Sequence, residues 1–204
     1  MRIASLSPAI TEILFAFDVQ DMIVCTDECS DFPEEAQSIA HVKDATAVDP
    51  RELYDHEVEL VFTLSKQQEN AAEQLRARDF SVSHHDPHTI NDIYEMIHNL
   101  GMMLQVEDKA KELVLQMQQG FKDVKRKSGL LPSRQRVYIE DCSDSWLTEV
   151  AHIAGVEVVL DESTADFSVA EGGRIIEKAL LQRPGPRLVD GARYLYGWAF
   201  ENLH

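Results

Sequence analysis

Three histidines crowd one short segment of the chain. His84, His85 and His88, with Asp86 between them, read HHDPH at 84–88. Three imidazoles and a carboxylate so close together are the donor set that zinc, iron, nickel or cobalt takes. In an extended segment neighbouring side chains point to opposite faces, so His84 and His85 do not easily serve one ion. A turn at Pro87 would let His85 and His88 converge; the plainer reading of His88 is a loop or helix-capping residue. Cys25 and Cys29 form C-x3-C with no second Cys or His pair at zinc-site spacing, and with Cys142 the cysteine count is odd. Buried or half-buried reduced thiols are expected there. Catalytic signatures are missing from the sequence: it has no G-x-S-x-G elbow, P-loop, G-x-G-x-x-G or H-E-x-x-H. Gly172 and Gly173 are a pair, not a phosphate cradle, and Glu34 and Glu35 lie in a charge-rich loop where solvation is the expected state. No enzyme is needed to explain these residues.

Composition narrows the partners. The chain has 204 residues, with 36 Asp and Glu against 19 Lys and Arg, a formal net charge of −17. Nucleic acid is excluded as a partner, because phosphate binding needs a basic face. The same excess of acid disfavours an anionic membrane surface. The apolar fraction of 44% is that of a folded globular protein. No run approaches the roughly 18–20 apolar residues of a membrane span. The sequence opens with MRIASLSPAI, which has neither a basic stretch nor an apolar signal core, so a cytoplasmic location is expected as written, and a periplasmic one only if a leader has been removed.

The elements that must position these residues alternate between strand and helix. Strands are expected at Arg2 to Ser5, Met22 to Cys25, Val58 to Leu64 and Phe80 to Ser83. Helices are expected at Pro8 to Phe17, at Pro50 to Tyr54 with Asp49 as N-cap, and at Gln67 to Arg76. That alternation means βαβ units and a mostly parallel sheet. The middle departs from the rhythm. Thr89 and Asp92 give a T-x-x-D capping signal for a helix toward Met103. Val106, Ala110, Leu113, Met117, Phe121 and Val124 then form one apolar stripe of a second helix, about 30 Å long, over roughly Glu107 to Lys127. The pattern resumes with a strand at Gln135 to Ile139, a helix at Asp144 to Ala154 ended by Gly155, and a strand at Val156 to Leu160. Tyr194, Tyr196, Trp198 and Phe200 mark a closing helix that packs its aromatic face onto the body. The expected organisation is an α/β lobe at 1–103, a connecting helix at 104–132 and a small α/β lobe at 133–204.

Four stretches carry a resemblance. RIASLSPAITEILFAF at 2–17, CTDECSDFPEEA at 25–36, DPHTINDIYEMIHNLG at 86–101 and QRPGPRLVDG at 182–191 resemble, in this order, segments of the cobalamin- and siderophore-type substrate-binding proteins of ABC importers. The resemblance implies two Rossmann-like lobes with parallel sheets joined by a long helix, and a ligand such as cobalamin or a related corrinoid, or a metal chelate, held without covalent chemistry in the cleft between them. No cofactor is implied. The second lobe is shortened relative to that family, since Glu171 runs almost directly into GGRIIEKALL where a further strand–helix unit is usual.

The matching positions assign a ligand-binding set. Ser5, Ser7 and Pro8 would follow the first strand, Asp27, Glu28 and Cys29 the second, and Ser65 and Lys66 the third. The small lobe would add Asp141, Ser143 and Trp146, with Arg183 and Arg187 on a turn stiffened by Pro184 and Pro186. Such arginines suit a carboxylate, phosphate or amide-rich ligand, and an interlobe salt bridge is the competing role. The aromatic residue that cobalamin-binding relatives carry after the third strand is replaced here by Thr63, Leu64 and Ser65. By position, Glu69 and Glu171 would dock on arginines of an ABC permease, solvated surface acids being the alternative. Two further alternatives stand beside this reading: a metal-ion binding protein using His84, His85 or His88, and a degenerate, ligand-free module that forms a homodimer. An enzyme acting on a corrinoid rests on fold analogy alone.

Overall fold

A computed structural model describes residues 1–140, 145–169 and 175–202. The chain forms two compact units, each assembled from two stretches: 1–87 with 96–110, and 88–95 with 111–204. The first unit contains, in chain order, β1 (Ile3–Ser5), α1 (Pro8–Ala16), β2 (Ile23–Thr26), β3 (Ala40–His41), α2 (Pro50–Asp55), β4 (Leu60–Leu64), α3 (Glu69–Arg76) and β5 (Ser81–His85). Its strands form a parallel sheet in the order β3-β2-β1-β4-β5. β1 and β4 are flanked by strands on both sides and buried throughout, hence their mostly apolar sequences, with Ser5 and Thr63 the polar exceptions; β3, at an edge, is exposed. One face of the sheet is closed by a core of Ala4, Leu6, Cys25, Val42, Leu53, Val61, Leu75 and Phe80, drawn from strands and from α2 and α3. α1 packs on β1 and β4.

Local chemistry explains where these elements begin. Pro8 opens α1, where its missing N–H costs nothing. Asp49 accepts from Arg51 N–H and caps α2, as the sequence indicates. In α4 (Ile90–Met103) Thr89 and Asp92 cap each other: Asp92 N–H donates to Thr89 Oγ1 at 3.1 Å and Thr89 N–H to Asp92 Oδ2 at 2.9 Å. α5 (Glu107–Ser128) follows after a short turn. A Cβ on Gly101 would lie 2.4 Å from that of Ala110, so glycine is what lets the end of α4 approach the start of α5. The sequence-based division differs from the observed one. Residues 104–110 of the expected connector belong to the first unit and 111–132 to the second, and 88–95 leave the first lobe for the second unit. Within the second unit Ile90 N–H donates to Glu149 Oε2 at 3.1 Å, tying the start of α4 to α6 (Ser145–Ala154).

The second unit continues with β6 (Gln135–Ile139), α6, β7 (Val156–Val159), β8 (Phe167–Val169), α7 (Ile175–Gln182) and α8 (Leu188–Glu201). Its described strands make a parallel sheet in the order β7-β6-β8. Gly155, at φ +79°, ends α6, the left-handed position at which glycine is favoured. α6 packs on β7 and α8, and α7 on α8. Trp198 stacks on Phe167 with ring centroids 3.5 Å apart, so that ring of the closing helix serves packing. Two strands escape sequence reasoning. β3 is two exposed residues, and β8 is three residues in a polar stretch; neither shows a period.

Candidate ligand-binding site

The order of the first sheet places a topological switch between β1 and β4. From β1 the chain moves outward through β2 to β3, then returns to the other side for β4 and β5. Open parallel sheets bind ligands outside the carboxyl ends of the strands at such a switch. Six sequence-assigned positions line the ends of the two central strands and β2: Ser5 and Ser7, Asp27 and Glu28, Ser65 and Lys66.

The structure joins several of them through residues the sequence did not single out. Thr11, on the first turns of α1, has its hydroxyl 2.8 Å from Ser5 Oγ and 2.9 Å from Ser30 Oγ, and donates to Ser7 O at 3.1 Å. Ser30 Oγ donates to Asp27 Oδ1, and Cys29 N–H reaches Asp27 Oδ2 at 3.3 Å. Ser5, Ser7, Thr11, Asp27 and Ser30 are all buried. Buried hydroxyls of this kind are held in one arrangement because each needs a partner. Pro8 is half-buried, and Glu28, Cys29 and Lys66 are exposed. No disulfide links Cys25 and Cys29, and burial pushes the Cys25 thiol up to about 11, so it is inert.

A second connection spans the switch itself. Gln68, buried, accepts Leu64 N–H at 2.7 Å on its Oε1 and donates from Nε2 to Leu6 O at 2.6 Å. One side chain thereby satisfies a backbone group at the end of β4 and another just past β1. Beside it Ser65 has φ +71° and ψ 156°, a region that glycine alone occupies comfortably. Ser65 N–H donates to His85 O at 2.8 Å and Gln68 N–H to Ser65 O at 3.0 Å.

The histidines are not gathered. Thr63 Oγ1 lies 2.9 Å from His84 Nδ1 on the adjacent strand, whereas His85 Nε2 lies 2.9 Å from Ser83 Oγ on its own. β5 runs on through both, longer than the sequence indicates, and alternation sends them to opposite faces. His88 stands beyond Pro87 as an exposed residue whose N–H donates to Asp92 Oδ2. Among the described residues no group of three or more His, Cys, Asp or Glu is placed to hold a metal ion.

His85 makes a pH prediction. Burial, with His84 adding to it, pushes its imidazole down to about 4 from the usual 6.5. Between those values the unfolded chain binds a proton that the folded chain refuses, so stability rises with pH across the window and is lost as pH falls from 6.5 toward 4. The capping carboxyl of Asp92, held low by backbone N–H groups of His88 and Thr89, loses its contribution only below the ordinary carboxylate range. Denaturant unfolding at a series of pH values will show a slope between pH 4 and 6.5 that flattens in His85→Asn; an unchanged slope means that His85 is solvated.

The second unit's assigned residues fall into three groups. Asp141, Ser143 and Glu171 lie outside the described residues. Arg183 and Arg187 are half-buried on the loop between α7 and α8, where Gly191 N–H and Asp190 N–H donate to Arg187 O. Neither is a free cation. Trp146 corrects the expectation of a rim position: it is 2% exposed, among the largest fully buried side chains. Its place in the first turn of α6, a helix packed on β7 and α8, makes it a core residue.

The family model described as "Periplasmic binding protein" matches residues 3–179. The chain belongs to the periplasmic binding protein family. A vitamin B12-binding protein of Vibrio vulnificus strain YJ016 is 23% identical over 193 residues, which cover 90% of this chain and 68% of that protein. Among solved structures, the periplasmic vitamin B12-binding protein of Vibrio cholerae superposes with a TM-score of 0.77 at 17% identity, covering 98% of this chain and 96% of the other. The periplasmic heme-binding protein RhuT of Roseiflexus sp. RS-1, in its apo form, gives 0.80 at 15% identity, covering 100% and 99%. These likenesses establish the α/β fold with parallel sheets. As a periplasmic binding protein the chain is a non-catalytic binder of small molecules that works with ABC permeases, and it requires no cofactor for that task. No helix among the described residues is long and apolar enough to cross a membrane.

Proposed function

We propose that this periplasmic binding protein captures a corrinoid, at the carboxyl-end rim of the first unit's parallel sheet. The observation that carries the reading is the buried chain Ser5–Thr11–Ser30–Asp27, which fixes polar groups at a topological switch before any ligand arrives. Its chemistry favours a ligand rich in amides over one rich in carboxylates. Asp27 and Glu28 stand against Lys66 at this rim, and the whole chain carries 17 excess negative charges. A dianionic heme would be repelled by that field, whereas an uncharged or cationic corrinoid with peripheral amides would not.

Titration with cyanocobalamin, cobinamide and hemin, followed by visible absorption and calorimetry, tests this. Saturable one-to-one binding of a corrinoid is expected; binding of hemin alone overturns the assignment. Glu28→Ala and Lys66→Ala, both exposed and outside the buried network, should fold normally and weaken the corrinoid complex about tenfold, the effect of one lost charge-assisted hydrogen bond. Unchanged affinity in both would move the site away from this rim. Glu69, exposed in the first turn of α3, is the proposed permease contact. Glu69→Arg is expected to block transport while leaving affinity for the ligand intact.

A further inference from the structure

We infer that the turn from Leu64 to Gln68 is a loaded positioning device: Gln68 holds Ser65 in a conformation that serine does not choose, so that the rim is rigid before ligand binds. The inference rests on the corrinoid reading above. Ser65 sits in the backbone region open to glycine and nearly closed to other residues, and such outliers persist only where surrounding bonds over-determine them. Here the over-determination is visible. Gln68 Oε1 accepts the N–H preceding Ser65, Ser65 N–H is bound by the carbonyl of His85, and Ser65 O accepts Gln68 N–H. The same glutamine donates to Leu6 O across the switch. Three strand ends are thus locked by one side chain and one strained residue, at the place where a parallel sheet receives its ligand.

A residue whose only task were to link β4 to α3 would have no reason to keep this strain. Glycine would make the same turn without it. The expected cost of glycine lies in function, because the relaxed turn samples other conformations and the ligand must then order it.

Three variants decide the matter, read by thermal unfolding and by titration with cyanocobalamin. Ser65→Gly is expected to raise Tm by a few degrees and yet weaken binding about tenfold. Ser65→Ala, which keeps the strained backbone and removes the hydroxyl, is expected to show none of the gain in Tm and a smaller loss of affinity than the glycine variant. Gln68→Leu is expected to lower both Tm and affinity, and its affinity loss should shrink in the Ser65→Gly background, since a relaxed turn leaves less to hold. A Ser65→Gly chain that gains no stability, or gains it at unchanged affinity, overturns the inference. So does an alanine variant that loses as much affinity as the glycine one, because the hydroxyl would then be a direct contact. If the parent chain binds neither corrinoid, the functional reading fails and this inference with it; parent binding with an indifferent glycine variant defeats this inference alone.

Discussion

Trp146→Ala will lower the unfolding free energy of the second unit by about 3–5 kcal/mol, the range for truncating a large buried aromatic side chain. The indole is 2% exposed, in the first turn of a helix that packs on both β7 and α8. Its removal leaves a cavity in the interior of the second unit. Denaturant unfolding should separate into two transitions, with the earlier one belonging to the second unit and moving to lower denaturant. Trp146→Phe separates packing from recognition. A core role predicts a stability loss smaller than that of alanine, and corrinoid affinity within about twofold of the parent. A phenylalanine variant that keeps its stability and loses its ligand would return Trp146 to the rim.

The second large effect is expected at Thr11→Val, which keeps the shape of the side chain and deletes its hydroxyl. Ser5 Oγ, fully buried, is then left facing a methyl group, and the link to Ser30 and Asp27 is cut. An orphaned buried hydroxyl together with the lost bonds costs about 2–4 kcal/mol. Thr11→Ser restores the donor and forfeits only a methyl, so its loss should stay near 1 kcal/mol. Corrinoid affinity should follow the hydroxyl, falling about tenfold in the valine variant and little in the serine one. Equal stability for valine and parent would show that water replaces the missing group.

These two sites mark what sequence reasoning reached and what it did not. Wherever a signal is local, it was legible. Asp49 before Pro50, Thr89 three residues before Asp92 and Gly155 after an apolar helix each act within one turn of chain, and each does in the structure what its type and spacing indicate. The buried stretches of β1 and β4 were equally plain, because central parallel strands are buried on both faces. The site was legible only as a set of strand ends. Thr11 and Ser30 are 19 residues apart, and Gln68 and Leu6 are 62 apart. Nothing in the neighbourhood of either residue announces a partner at such a distance. Trp146 misled for the complementary reason: an aromatic residue next to a strand end serves a rim or a core equally well, and only the packing of α6 distinguishes them.

The interleaving of the two units bears on how the molecule is made. Each unit needs two separated stretches, 1–87 with 96–110 and 88–95 with 111–204. A chain emerging from the ribosome completes its first sheet at β5, yet that unit must wait for the far side of α4 and the opening turn of α5 before it is whole. The eight residues 88–95 wait longer still, because Glu149, their partner through Ile90, is synthesised much later. Each unit is complete only once its second stretch has been made, and the first unit's second stretch follows a segment that belongs to the other. A protease offers no way around this: no single cut of the backbone releases either unit intact.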